Sequence, residues 1–236
     1  MKFILIGLGV LAVAGIAAWV FRFYTTVQTS RKLIDAAVPF QLRSEDKAKT
    51  LLVLGDSTAV GVGATTPDES LAGRLSAYAH MTYVENHAKS GAVTAALSEQ
   101  IAQASLMHYD LILIQIGGND IIQFHSAKKS GELLEKALRQ LPDAEQVIVI
   151  SAGDVGGATL FPPPITWIHT HLNKQHHQIF AEAVQHVGVG EYINFGISPA
   201  TKVIGDNPEI YLASDGLHPS SEGYRLWFED VAKRVK

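Results

Sequence analysis

The sequence predicts an α/β fold, in which a parallel sheet carries helices on both faces, preceded by an N-terminal transmembrane helix. Continuous apolar runs of strand length alternate with segments of helical spacing from Thr50 onward. Such runs are typical of strands that are buried on both faces of a parallel sheet. A separate observation predicts the transmembrane helix, because the segment Phe3–Phe21 carries no charged side chain.

Five strands are predicted from the apolar runs. In chain order they are TLLVLG, TYVENHA, DLILIQIGG, QVIVISAG and YINFG. The helical segments between and after them are ESLAGRLSAYAH, VTAALSEQIAQAS, GELLEKALRQL, a long helix from about Trp167 to His186, and SEGYRLWFEDVAKRV. Right-handed crossovers place the loops that come after the strands at one edge of the sheet, where such folds bind ligands.

Composition excludes several classes of protein. The 236 residues are 47% hydrophobic and 18% charged, which is not the composition of a disordered chain. The net charge of -4 gives no reason to expect a nucleic-acid partner. The chain has no cysteine, which rules out disulfides, a thiolate nucleophile and a cysteine-based zinc site.

The N-terminal apolar segment has the length of a membrane anchor. A helix over Phe3–Phe21 would be about 28 Å long, close to the ~30 Å thickness of the hydrocarbon core. Trp19 and Tyr24 lie where an aromatic belt is expected, and Arg22 ends the run. A cleaved signal peptide is the alternative, but its apolar region is usually only about 7–15 residues long.

We therefore predict three parts: an anchor over residues 1–24, a polar stalk over 25–48 and an α/β domain over 49–236. The stalk is mixed in charge and broken at Pro39, and nothing in it indicates chemistry. Arg31 and Lys32 come after the anchor and would favour a cytoplasmic domain under the positive-inside rule. Single N-terminal anchors with short leading segments commonly export the domain behind them, and we expect a domain on the periplasmic or extracellular side.

Polar residues collect at the predicted loop edge of the sheet. Ser57 ends the first strand in the stretch LLVLGDSTAVGVG, and Asn119 ends the third. Asp215 and His218 precede the last helix. A serine hydroxyl needs a neighbouring base to attack a carbonyl, and an Asp-x-x-His loop supplies a histidine together with a carboxylate that orients it. Helix capping around Pro219 explains the flanking residues but not the Asp-His pair.

Four short blocks resemble the GDSL lipase/esterase family, also called the SGNH hydrolases. They are GDST, NHAKSG, GGND and DGLHPS, and they occur in the family's order after the stalk. The resemblance implies that residues 49–236 form an SGNH hydrolase domain. Its expected fold is a three-layer α/β/α sandwich with a flavodoxin-like, five-stranded parallel sheet. No G-x-S-x-G motif surrounds Ser57, so the α/β-hydrolase pattern is absent.

The resemblance also implies a role for each matching residue. Ser57 would be the nucleophile, His218 the base and then the acid, and Asp215 the partner of the histidine. The backbone N–H groups of Ser57 and Gly91 and the side-chain amide of Asn119 would hold the developing oxyanion, as glycine admits close approach to a backbone N–H. The family needs no cofactor and no metal.

The segment GGATLFPPPITW comes after the fourth strand and carries apolar side chains near the predicted site. An apolar loop there would suit an acyl chain or the bilayer, although it could equally pack over the sheet and begin the long helix. Candidate substrate-binding residues are Asp154, Leu160, Phe161, Ile165 and Trp167. For Asp154, capping of a turn is an equal alternative.

Two other groups of polar residues have structural interpretations. Asp56 and Asp120 stand beside glycine at strand ends, where aspartate commonly accepts hydrogen bonds from nearby backbone N–H groups. The histidines of the long helix favour a solvated face over a metal site, because their spacings suggest different faces of the helix. They are His169, His171, His176 and His177.

The sequence thus predicts a membrane-anchored serine esterase that hydrolyses lipid or other acyl esters, or thioesters, through an acyl-enzyme. A carbohydrate O-acetylesterase of the cell envelope is the alternative within the same chemistry. An inactive binding domain that kept the fold is a third interpretation. The expected partners are an ester substrate and, through the N-terminal helix, a membrane, with no nucleic acid.

Overall fold

The structure is a computed structural model that describes residues 2–161 and 164–235. For residues 2–12 it describes the backbone alone. The two central prolines of the predicted substrate loop, Pro162 and Pro163, lie outside the described residues.

A five-stranded sheet forms the centre of the molecule, and all of its pairings are parallel. The strands are β1 (Thr50–Gly55), β2 (Tyr83–Asn86), β3 (His108–Ile116), β4 (Asp143–Ser151) and β5 (Glu191–Ile193). Their order is β2-β1-β3-β4-β5, which is the flavodoxin-like order. The predicted α/β class and the five-stranded parallel sheet are confirmed. The order of the strands reverses between β1 and β3, so a ligand site is expected at their carboxyl ends.

Ten helices surround the sheet in the described part of the chain. They are α1 (Lys2–Ala36), α2 (Ser57–Val60), α3 (Leu71–Tyr78), α4 (Leu97–Ile101), α5 (Gly118–Ile122), α6 (Ala127–Leu138), α7 (Ile165–Val187), α8 (Pro199–Asp206), α9 (Pro208–Tyr211) and α10 (Ser221–Ala232). The short helices α2, α5, α8 and α9 were not predicted, because segments of four to eight residues carry too little periodicity to be recognised.

Two hydrophobic cores lie on opposite faces of the sheet. Alternate residues of β1 serve one core each, because successive side chains of a strand point to opposite faces. Leu51 and Val53 join α3, α8 and α10, whereas Leu52 and Leu54 join α4, α6 and α7. This arrangement is the three-layer sandwich, and it leaves the loops at the carboxyl edge free to form a site.

The N-terminal helix α1 continues through the predicted boundary between anchor and stalk. Its 35 residues correspond to a length of about 52 Å. No helix is apolar over a long enough stretch to cross a membrane, as far as residues with described side chains are concerned. The predicted span Phe3–Phe21 begins in residues 3–12, which lie outside that part of the chain.

The segment after α1 is attached to the edge of the sheet. Leu42 and Val84 of β2 exchange two backbone hydrogen bonds, of 3.1 and 2.8 Å, in an isolated antiparallel bridge. The ring of Phe40 packs against the core that contains α3 and α10. These contacts tie the carboxyl end of α1 to the hydrolase domain.

Candidate active site

Ser57 stands at the sharp turn between β1 and α2. Gly55 ends β1 with φ +136°, and a Cβ there would lie 1.9 Å from the carbonyl oxygen of Gln115, so only glycine fits. The buried side chain of Gln100 accepts from the N–H of Gly55 at 2.7 Å and donates to its carbonyl at 2.8 Å. Gln100 thus holds the strand end that presents Ser57, a role that no local pattern in the sequence indicates.

The residue between Gly55 and Ser57 caps the short helix. Asp56 accepts hydrogen bonds from the backbone N–H of Thr58 at 2.9 Å and from its hydroxyl at 2.8 Å. Burial raises the pKa of Asp56 to about 6, although these bonds to Thr58 and the nearby His218 act in the opposite direction. Asp120 likewise accepts from the N–H and hydroxyl of Thr94 and from Ser130. Both contacts are those expected of structural aspartates.

The structure brings Ser57, His218 and Asp215 into one hydrogen-bonded series. His218 Nε2 lies 2.8 Å from Ser57 Oγ, and His218 Nδ1 lies 2.6 Å from Asp215 Oδ2. All three side chains are more than nine-tenths buried. The contact joins residues 161 positions apart in the chain, from the first and last turns of the hydrolase domain.

The electrostatics of this series determine the direction of each hydrogen bond. Burial by itself would raise the pKa of Asp215. The hydrogen bond from His218, the charge of His218 and the backbone N–H groups of Leu217 and His218 lower it more, so the pKa lies below its usual value. The carboxylate can then only accept, so Nδ1 of His218 carries the proton. In the neutral imidazole, Nε2 is left to accept the hydrogen bond from the hydroxyl of Ser57.

Close packing between two loops holds His218 against Ser57. The buried hydroxyl of Tyr224 on α10 donates to the carbonyl of Val62 at 2.9 Å. A Cβ on Gly63 would lie 2.2 Å from the carbonyl oxygen of Pro219, so the two loops can approach this closely only with glycine there. The loop after α2 is therefore fixed to α10 and to the loop before α10, beside the series.

Gly91 and Asn119 line the same cavity as Ser57 and His218. Asn119 donates one N–H of its side-chain amide to the carbonyl of Ala92 at 3.0 Å. An amide nitrogen has two N–H donors, so the second remains for another acceptor. Gly91 has φ +80°, with open space where a Cβ would stand. Both residues can therefore present neutral N–H donors to the cavity.

The cavity has a volume of about 450 Å³, within the range of small-molecule sites. Three of the predicted substrate-binding residues, Asp154, Leu160 and Phe161, line it. Ile165 and Trp167 do not line it, because they begin α7, where Trp167 is 70% exposed. Apolar lining residues that were not expected from the sequence include Ile122, Val155, Ile204, Leu212 and Leu217.

Asp154 caps a turn at the cavity wall, so both interpretations of this residue apply. Its carboxylate accepts from the N–H of Gly156 at 3.0 Å. It also lines the cavity. The residue orders the loop after β4 that carries Leu160 and Phe161.

One wall of the cavity comes from α1, to which the sequence analysis assigned no chemistry. The contributing residues are Phe23, Val27, Ser30, Arg31 and Ile34. Their spacing of i, i+4, i+7, i+8 and i+11 places them on one face of the helix. That periodicity is readable in the sequence, but it cannot reveal which surface the face covers.

The expectation of a solvated face for the histidines of α7 is wrong for three of the four. His169, His176 and His177 are buried, and His171 alone is on the outside. Spacings of seven and eight residues return to the same face of a helix, and this face packs toward β4. His177 Nδ1 lies 2.8 Å from the hydroxyl of Tyr192 and 2.5 Å from that of Ser151. Within the described ranges, no group of three or more potential ligands could hold a metal ion.

Comparisons with known proteins identify the family of this chain. Residues 53–226 match the model of the GDSL-like Lipase/Acylhydrolase family. A GDSL-like esterase of Mycobacterium tuberculosis, Rv1075c, is 27% identical over 186 residues, which cover 75% of this chain and 58% of that protein. The chain thus spans little more than half the length of that curated relative.

Solved structures share the fold at lower identity. The crystal structure of TesA has a TM-score of 0.59 at 19% identity, and the matched region covers 80% of this chain and 98% of the TesA chain. Phospholipase A1 from Streptomyces albidoflavus has a TM-score of 0.59 at 17% identity, and the matched region covers 80% of this chain and 99% of the phospholipase chain. From the match over residues 53–226 and the fold, this chain belongs to the GDSL-like lipase/acylhydrolase family.

Proposed function

We propose that the protein is a serine esterase that hydrolyses lipid or other acyl esters, including thioesters, through an acyl-enzyme. The observation that carries the proposal is the buried hydrogen-bonded series Ser57–His218–Asp215 at the wall of an apolar cavity. A nucleophile, a base within hydrogen-bond distance and a third group that orients the base are the parts that acyl transfer requires.

In the acylation step, Ser57 Oγ attacks the carbonyl carbon of the ester while His218 Nε2 takes the hydroxyl proton. Asp215 keeps the imidazole oriented and stabilises the imidazolium that forms. The N–H groups of Ser57 and Gly91 and the free N–H of Asn119 stabilise the tetrahedral oxyanion. The intermediate collapses as His218 returns the proton to the leaving alcohol or thiol, which departs.

Deacylation repeats the same steps with water. His218 removes a proton from a water molecule, which attacks the acyl carbon bound to Ser57 Oγ. Collapse of the second intermediate breaks the bond to Ser57, and the proton held by His218 returns to Oγ. The products of deacylation are the carboxylic acid and the free enzyme, and the two steps together consume only the ester and water.

We also propose that the N-terminal segment anchors the enzyme in a membrane and that the hydrolase domain is exported. The support is the uncharged segment Phe3–Phe21 and the aromatic residues at its carboxyl end, such as Trp19, which stacks on Phe23 at 5.8 Å. Fractionation of the full chain should find it in the membrane pellet, resistant to high salt. Digestion of intact cells by a protease that cannot cross the membrane tests on which side of the membrane the domain lies, and an exported domain should be cleaved.

The esterase proposal is tested with a serine-directed fluorophosphonate probe and p-nitrophenyl esters on the full chain. We expect labelling and hydrolysis in the natural chain and neither in Ser57→Ala. Ser76→Ala is a matched control, since Ser76 is a buried serine on α3 outside the cavity lining. Absence of both labelling and hydrolysis in the natural chain would overturn the esterase function.

A further inference from the structure

The wall that α1 contributes lies outside the part of the chain that the family covers. The family match begins at residue 53, whereas α1 ends at Ala36. The apolar members of this wall are Phe23, Val27 and Ile34, which we call the α1 face. The helix α1 thus lines the cavity that contains Ser57 and His218, although it lies outside the matched residues.

The α1 face is only partly covered, since Phe23 is 36% exposed. Val27 and Ile34 are partly buried, whereas Val20 of the same helix is 50% exposed and Val38, two residues after the helix ends, is 64% exposed. The face borders the cavity that contains Ser57 and His218, together with Leu160 and Phe161. An acyl group attached to Ser57 Oγ would thus occupy an apolar space bounded by the loop after β4 and by α1.

The chain is fixed to the sheet just after the carboxyl end of α1. The bridge between Leu42 and Val84 fixes the chain six residues after α1 ends, and Phe40 packs on the core. Toward the amino end, Phe23 lies about 3 Å along the helix axis beyond Phe21, where the uncharged segment ends. The cavity wall therefore begins where the proposed anchor would leave the bilayer.

We propose that the α1 face binds the acyl chain of the substrate and gives the enzyme a preference for medium- and long-chain esters of membrane lipids. The inference rests on the proposed esterase function and adds the residues that select the substrate. Val27 and Ile34 contact methylene groups far from the ester bond, so they leave short acyl groups unaffected. Acetyl esters, which end close to Ser57, do not reach the α1 face.

The test compares acetyl and dodecanoyl p-nitrophenyl esters on the full chain in nanodiscs of ether-linked lipid, which offer no competing ester. The variants are Val27→Ser, Ile34→Ser and their combination, with Val38→Ser as the exposed control of matched residue type. Serine and valine have similar helix propensities, so α1 is retained. We expect kcat/KM for the dodecanoyl ester to fall about tenfold per substitution, with the acetyl ester and Val38→Ser unchanged.

A second kind of variant reduces the volume of the cavity. Val27→Trp fills the space beside the α1 face, and it should remove dodecanoyl ester turnover while acetyl ester turnover remains. A dodecanoyl-to-acetyl ratio that is unchanged in Val27→Ser, Ile34→Ser and Val27→Trp would overturn the inference, as would a natural chain that prefers the acetyl ester. In each of those outcomes, loss of acetyl ester hydrolysis in Ser57→Ala shows that the esterase function itself stands.

Discussion

Two regions meet at the cavity and are built by different means. The series Ser57–His218–Asp215 is more than nine-tenths buried and is held by directional hydrogen bonds of 2.6 and 2.8 Å. The α1 face across the cavity is half-exposed, and the chain is attached just beyond its carboxyl end by the packing of Phe40 and by the bridge at Leu42. The first region belongs to the family match, and the second precedes it.

Under the proposed function, reaction and substrate choice are carried by separate segments. Proton transfer needs atoms placed to within tenths of an ångström, which convergent hydrogen bonds at a buried sheet edge supply. Selection of an acyl chain needs only apolar area of suitable shape. A helix attached at one end can provide such area without disturbing the catalytic geometry.

The largest effect is expected from Ser57→Ala. Loss of the nucleophile should lower kcat for p-nitrophenyl esters by about 10⁴-fold or more. The melting temperature should stay nearly constant, since the Ser57 hydroxyl makes one described side-chain bond, to His218. Calorimetry and initial rates on the same preparation provide both numbers. Appreciable residual turnover by Ser57→Ala would show that Ser57 is not the nucleophile. The two regions would then not have the separate roles in reaction and substrate choice.

The next effect is expected from Asn119→Ala, which removes an oxyanion donor. We expect kcat to fall by about 10²–10³ with little change in KM, because the bond forms only in the transition state. Asn207→Ala is a matched control, as Asn207 also donates its amide to a backbone carbonyl, that of Val203, outside the cavity lining. A rise in KM with unchanged kcat would argue against an oxyanion role for Asn119.

Asp56 gives the buried region a pH dependence that the α1 face lacks, because burial beside the series raises its pKa to about 6 from 3.8. Below pH 4 the carboxyl is protonated whether folded or unfolded, and above pH 6 it is ionised in both states. Between these values the unfolded chain ionises first, so the free energy of unfolding should fall by about 3 kcal/mol as pH rises. Asp56→Asn lacks this titration.

Urea unfolding of the natural chain and of Asp56→Asn at a series of pH values measures this difference. The stability of the natural chain should decline relative to the variant from about pH 4 to pH 6. Asp68→Asn, at an exposed carboxyl outside the cavity, is the control. Parallel curves for the natural chain and Asp56→Asn would contradict the raised pKa of Asp56.

The smallest effect separates two aromatic residues that follow β4, one in the loop and one on α7. Phe161 lines the cavity, whereas Trp167 is 70% exposed at the start of α7. Phe161→Ala should lower kcat/KM for long acyl esters by about tenfold, and Trp167→Ala should leave soluble ester turnover unchanged. A larger loss in Trp167→Ala than in Phe161→Ala would place the acyl contact on α7 and would show that the acyl chain does not bind in the cavity described above.

Much of the fold and the polar part of the site could be predicted because both depend on local patterns. Apolar strands such as Leu51–Leu54 are recognisable wherever they occur, and parallel strands bring their carboxyl ends to one edge. Ser57, Asn119, Asp215 and His218 can be identified from that rule together with the family blocks. The buried face of α7 was missed because histidine is a polar residue, although its seven- and eight-residue spacing was present.

Local patterns in the chain were enough for the α/β class, the five strands and the identity of the residues that form the hydrogen-bonded series, because periodicity and short motifs are local. The packed molecule was needed to show that Gln100 clamps Gly55, that Tyr224 joins two loops and that the α1 face covers the catalytic cavity. Each of these is a contact between segments distant in the chain. Such contacts depend on how whole elements pack, and an amphipathic face specifies that it will be covered without specifying by what.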